Sequence, residues 1–273
     1  MLVAYVAAAG LVAAACQGSE GETSAPVPVT RQATAAPPSV RRQAGKRRGP
    51  LRALIEAALP VYCGAGRKRQ VALTFDDGPG PYTNALVRVL RRANAQATFF
   101  LVGNRIARWP QGARAEAALG ELGDHTWGHH LLPTLARDNA VWQIEWARRE
   151  ILLRTGEFTA LFRPPYGRLQ RALWRFLRAK GMIQVLWSID GRDYLPGASA
   201  GSIVATVETG LRPGAIVILH EIHRQSIRAM RILLAELRRR RLTAVTVSRL
   251  LRTDPPSRAQ LRAGISGCGR RKR

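Results

Sequence analysis

Val71-Ala72-Leu73-Thr74-Phe75-Asp76-Asp77-Gly78-Pro79 is an apolar run that stops abruptly at two adjacent carboxylates. Residues 71–75, rich in branched and aromatic side chains and followed by Gly-Pro, read as a buried strand. The same design recurs. Residues 183–187 lead into Ser188 and Asp190, and residues 215–219 lead into His220. Strands are also expected over 97–102 and 243–247. Between them lie helical patterns at 83–93, at 139–154 with Val141, Ile144, Ala147 and Ile151 on one face, at 169–180, at 202–208 and around Ile227, Met230, Leu234 and Leu237. Gly181 ends the third of these, and Arg238 to Arg241 suit the C-terminal dipole of the last. Strands alternating with helices predict an α/β fold with a parallel sheet or barrel. Ionisable residues just past apolar strands predict that the chemistry sits at the strands' C-terminal ends.

Three motifs carry that chemistry. Asp76 and Asp77 would repel one another in a dry site, and a cation that neutralises one of them resolves the conflict. The alternative is a solvated turn, since Asp-Gly-Pro is good turn chemistry. His125-Thr126-Trp127-Gly128-His129-His130 holds three of the chain's five histidines. A spacing of four puts His125 and His129 on one face of a helical turn, with His130 as an alternative ligand. Two imidazoles and a carboxylate make a metal set with an open coordination position. In Arg163-Pro164-Pro165-Tyr166-Gly167 the prolines stiffen the backbone that presents Arg163 and the Tyr166 amide; the alternative is a plain loop.

These motifs, with Trp187-Ser188-Ile189-Asp190-Gly191-Arg192-Asp193-Tyr194 and Ile216-Val217-Ile218-Leu219-His220, resemble in order the five motifs of the NodB-homology polysaccharide deacetylases, carbohydrate esterase family four. The resemblance runs from about Val71 to Leu251. It implies a single catalytic domain folded as a distorted (β/α) barrel. It also implies Asp77, His125 and His129 as ligands of one divalent metal, zinc first, with cobalt, nickel or manganese as alternatives. Asp76 resembles the general base, Arg163 the residue that holds it, the Tyr166 amide an oxyanion donor, His220 the general acid and Asp190 the carboxylate that tunes it. Tyr194 departs from the family's usual Trp and bears on sugar preference. His223 matches no motif residue and reads as a loop histidine. The implied reaction is N-deacetylation of an amino-sugar polymer, with peptidoglycan N-acetylglucosamine preferred. O-acetyl xylan esterase and chitooligosaccharide deacetylase are the alternatives. A non-catalytic wall-binding protein would be expected to lack one of the five central Asp and His residues, and all are present.

The ends of the chain speak to location. Residues 1–15 are apolar or small, and Ala13-Ala14-Ala15 precede Cys16. The run is short for a membrane span and resembles a lipoprotein signal with Cys16 lipidated; an ordinary cleaved signal is the alternative. Residues 17–50, rich in Ala, Pro and Thr, read as a disordered tether, 51–69 as a lead-in, 70–252 as the deacetylase domain and 253–273 as a C-terminal segment with a basic tail. In an exported chain Cys63 and Cys268 are expected to form a disulfide worth at most on the order of 5 kcal/mol, with two free buried thiols as the alternative. Hydrophobic residues make up 46% of the chain, enough for a real core. The net charge of +25 reads as a bias toward Arg with no single partner; the alternative is an anionic partner, a cell-wall polymer or a membrane surface reached through the lipid anchor. The basic residues are scattered and no aromatic stripe is interleaved with them, which disfavours nucleic acid as the partner.

Overall fold

The computed structural model describes residues 49–269. The expected export segment, Cys16, the tether up to residue 48 and the tail at 270–273 lie outside the described residues. Among the described residues, eight strands form one sheet: β1 (Gln70–Gly78), β2 (Thr98–Leu101), β3 (Glu121–Asp124), β4 (Leu161–Phe162), β5 (Ile183–Gln184), β6 (Ile189–Asp190), β7 (Ile216–His220) and β8 (Thr243–Val245). Their order is β5-β4-β3-β2-β1-β7-β6, with β8 paired to the first residues of β1, and every pairing is parallel. Ten α-helices among the described residues surround them: α1 (Pro50–Ala57), α2 (Thr83–Arg92), α3 (Gly103–Arg108), α4 (Pro110–Ala117), α5 (Arg137–Thr155), α6 (Ala172–Ala179), α7 (Ala200–Gly210), α8 (Arg224–Arg239), α9 (Val247–Thr253) and α10 (Arg258–Ala263). This is the distorted (β/α) barrel, and β1 is its centre. It is buried along nearly its whole length, as a parallel strand covered on both faces must be. Among the described residues, no helix is long and apolar enough to cross a membrane.

Four differences from the sequence reading have physical causes. The expected strand over 183–187 divides. Ile183 and Gln184 pair with β4, whereas Ile189 and Asp190 pair with β7 at the other end of the sheet, so the residues between them carry the chain across. The lead-in fills that gap: Val61 bridges Val185 and Cys63 bridges Ala215. The lead-in also contains α1, whose Leu54 packs in one core cluster with Ala72 of β1 and Leu261 of α10. Residues 51–69 and 253–269 are therefore built into the domain. Finally, the last strand stops at Val245 because the Thr246 hydroxyl accepts from the Arg249 amide and starts α9.

Cys63 and Cys268 are joined by a disulfide, Cα to Cα 5.9 Å, across a separation of 205 residues. It sits by the N-terminal end of β7, whose other end is His220.

Candidate active site

Asp76 and Asp77 lie within β1 rather than after it. Asp76 is still paired with His220 of β7 in the parallel register, and the register with β2 shifts between Asp76 and Gly78. That irregularity separates the two carboxylates in function. Asp76 is buried, and its Oδ1 receives the Arg163 guanidinium at 2.6 Å. Asp77 has a left-handed backbone (φ 68°) and a partly exposed side chain. Its Oδ1 stands 3.2 Å from His129 Nε2 and 3.7 Å from His125 Nε2.

The histidines reach this point by a loop, which corrects the expectation of a helical turn. Residues 125–130 contain no helix, and Thr126 and His129 both have positive φ. The turn is held from below by Asp124, at the end of β3, whose Oδ1 accepts from the Thr126 amide at 2.8 Å. His125 is buried, and its Nδ1–H donates to the Arg163 carbonyl at 2.7 Å. That bond fixes the tautomer and leaves the Nε2 lone pair pointing at the carboxylates. Burial lowers the His125 pKa to about 3, so the ring is neutral at ordinary pH, as a ligand must be. His130 is exposed and does not line the cavity.

These three side chains fit a metal. Their ligand atoms lie within 4.8 Å of one another, and Asp77 Oδ1 is buried without a hydrogen-bond partner, an arrangement that costs free energy unless a cation accepts the lone pairs. Two His and one carboxylate suit zinc and leave a position open.

Arg163 is wholly buried, an expensive place for a cation. Every branch of the guanidinium is used: Nη1 donates to Asp76 and to the Thr74 hydroxyl (2.8 Å), Nε to the Val185 carbonyl and Nη2 to the Leu186 carbonyl (both 3.2 Å). Those carbonyls belong to the stretch that leaves the sheet between β5 and β6. The Phe100 ring stacks under the guanidinium at 4.0 Å. Burial raises the Asp76 pKa, and Arg163 opposes the rise, so Asp76 is a carboxylate able to take a proton.

Across the cavity is His220. Its partner corrects the sequence reading: Asp193, not Asp190, is the carboxylate beside it. His220 Nδ1–H donates to Asp193 Oδ1 at 2.7 Å, and the His220 amide donates to Asp193 Oδ2 at 2.6 Å. Ser226 donates to the same carboxylate. Asp190 instead accepts from the Tyr194 hydroxyl at 3.1 Å and from the Arg192 amide. The reason is local. Asp190 still belongs to β6, whereas Asp193 lies in the turn beyond it and is buried against the end of β7. Burial works against a charged His220, but Asp193, followed by Asp76 and Asp77, pushes its pKa up to about 9.

The cavity, about 470 Å³, is lined by Asp76, Asp77, His125, His129 and His220 together with Tyr166, Trp187, Asp190, Tyr194, Ile218 and His223. Tyr166 has φ 58° and its ring meets His129 edge-on at 4.9 Å. Trp187, Ile218 and His223 join the lining without having been singled out as site residues. Behind it, Glu221 is buried, accepts from Thr83 at 2.5 Å and occupies the space a side chain on Gly78 would need. No sequence spacing announces these neighbours, because they follow from strand order.

A polysaccharide deacetylase family profile matches residues 64–185. The chain is 35% identical over 190 residues to a peptidoglycan-N-acetylglucosamine deacetylase of Bacillus cereus, covering 67% of this chain and 88% of that protein. It is 30% identical over 194 residues to the peptidoglycan-N-acetylglucosamine deacetylase PgdA of Listeria monocytogenes, covering 70% of this chain and 41% of that protein, so it spans well under half of that relative's length. The crystal structure of the Bc1960 peptidoglycan N-acetylglucosamine deacetylase superposes with a TM-score of 0.67 at 27% identity, over 70% of this chain and 92% of the other.

Proposed function

Because the chain belongs to the polysaccharide deacetylase family, we propose that it hydrolyses N-acetyl groups from an amino-sugar polymer, the N-acetylglucosamine of peptidoglycan. The observation that carries the reading is the pairing, across one cavity, of a buried Asp76 held by Arg163 with a His220 held by Asp193. That is a base and an acid kept apart by different environments.

An amide is a poor electrophile, and its amine leaves badly as an anion. Zinc held by Asp77, His125 and His129 would supply Lewis-acid activation of the carbonyl and of the attacking water. Asp76 takes the proton of that water, and Arg163 keeps the carboxylate ionised and oriented. The Tyr166 amide donates to the oxyanion that develops on the carbonyl oxygen. His220, protonated through its partnership with Asp193, gives a proton from Nε2 to the nitrogen as the C–N bond breaks, releasing acetate and a free amine. Trp187, Tyr166 and Tyr194 supply aromatic walls for a sugar ring. Location belongs to the same proposal: the chain is exported and anchored through lipid on Cys16. An unmodified N-terminus downstream of Cys16, by mass spectrometry, would contradict the anchor.

The test is acetate release from purified peptidoglycan, chitin oligomers and acetylated xylan, each with a chelator control. Metal-dependent release from peptidoglycan is expected. Release from acetylxylan or chitin oligomers alone would overturn the substrate, and release from none would overturn the activity.

A further inference from the structure

Helix α5 is apolar on two faces, and only one of them is covered. Ala140, Ile144, Ala147 and Ile151 are buried against the domain. On the opposite side, at helical spacing, Trp142 and Trp146 remain 44% and 38% exposed. Large indoles left in water lose the benefit of burial, so an exposed pair on one stripe calls for an occupant.

The two rings touch, with centroids 5.8 Å apart, and Trp142 meets Trp127 at 6.2 Å. Arg149, one turn on, lies over Trp146 at 4.9 Å. Trp127 sits midway between His125 and His129, so the ladder begins in the loop that carries two of the three metal-site side chains. Gly103 leaves room for this arrangement, since a Cβ there would strike the Trp127 ring.

We propose that Trp127, Trp142 and Trp146 form a binding surface for a pyranose chain, set outside the catalytic cavity and joined to it through the 125–130 loop, that holds the polymer on which the site acts. This rests on the deacetylase reading. The axial C–H faces of a pyranose are apolar and slightly positive, which suits the negative face of an indole. The rim argues for the same occupant. Helical spacing places Glu145 on one side of the stripe and Glu150 on the other, and each is paired, Glu145 with Lys180 at 2.8 Å and Glu150 with Arg154 at 2.7 Å. An aromatic floor edged by such paired charges offers donors and acceptors to sugar hydroxyls. A second copy of the chain would bring another +25 of like charge, and binding to phosphatidylglycerol vesicles tests the anionic bilayer as the other occupant.

The experiment uses the full chain carrying Trp142→Ala and Trp146→Ala together, with Arg149→Ala as a milder second variant. Far-UV circular dichroism and thermal melting report folding. Co-sedimentation with insoluble peptidoglycan is expected to weaken about tenfold in the double variant and less in Arg149→Ala. kcat/KM should fall similarly on the insoluble polymer, chiefly through KM, and stay within about twofold on a chitin trimer. Equal sedimentation of wild type and double variant would overturn the proposal. So would equal loss on trimer and polymer, loss of phosphatidylglycerol-vesicle binding alone, or a change from dimer to monomer in light scattering. A chain that releases no acetate from any substrate, yet sediments through these tryptophans, would separate failure of the deacetylase reading from failure of this one.

Discussion

At the level of single residues, the site depends on which of two nearby carboxylates reaches His220. The sequence offers Asp190 and Asp193 three positions apart, and motif order alone selected the wrong one. Asp190 lies inside a strand and Asp193 in the turn beyond it, a difference that strand boundaries decide and a motif does not record. The cluster of Asp77, His125 and His129 was more legible, because two His and an Asp pair are rare together and their chemistry is narrow. The folded-state pKa of His220 is raised, so the acid stays protonated as pH rises and is lost as pH passes upward through about 9. A divalent cation at Asp77 would cancel part of the carboxylate attraction and bring that limb lower. Asp193→Asn is expected to move the alkaline limb of kcat further down, toward or below the ordinary value of 6.5, while the acid limb set by Asp76 stays; a pH–rate profile reads both. An unmoved alkaline limb would mean that Asp193 is not the tuning group. Asp77→Ala and His129→Ala are expected to lose metal and activity together. Asp76→Asn should keep the metal and lose roughly two to four orders of magnitude in kcat. Metal analysis beside kinetics decides this, and full metal in His129→Ala would refute the ligand set.

Among the elements, apolar periodicity located long helices well and short strands poorly. The helix expected over 139–154 is α5, extended at both ends, and its buried stripe from Ala140 to Ile151 repeats over about three turns. Strand β3 was missed: Glu121-Leu122-Gly123-Asp124 has one large apolar residue and ends in a carboxylate. Its glycine is forced by packing. A Cβ on Gly123 would overlap the Phe100 ring of β2, and that ring cannot withdraw because it stacks under the Arg163 guanidinium. The contact links an inconspicuous strand, through Arg163, to Asp76. Gly123→Ala is expected to cost about 1–3 kcal/mol in urea denaturation. It should also lower kcat more than it raises KM, since a displaced Phe100 shifts Arg163 and hence Asp76. A variant of unchanged midpoint would show that β3 tolerates a side chain here.

Over the whole molecule, alternating strands and helices announced a parallel barrel, but not how it closes. Closure depends on residues 61–63 bridging two distant parts of the chain, Val185 and Ala215, and isolated bridges leave no periodic trace. The Cys63–Cys268 bond ties this closing segment to the last turn of the domain. Arg212 adds to the tie by donating to the Cys268 carbonyl at 2.7 Å. Cutting the bond frees a loop of 205 positions in the unfolded chain, so reduction, or replacement of both cysteines by serine, is expected to lower stability by about 2–5 kcal/mol. The catalytic cavity should be spared under native conditions. Cys63 pairs beside the first residue of β7 and His220 is its last, about 16 Å apart at strand rise. Urea midpoints with and without reductant measure the first expectation, and initial rates at 25 °C in the same buffers measure the second. Loss of activity in reductant at a temperature where the fold persists would mean that closure at the lower end of β7 controls the geometry at its upper end, so that barrel and site are mechanically coupled.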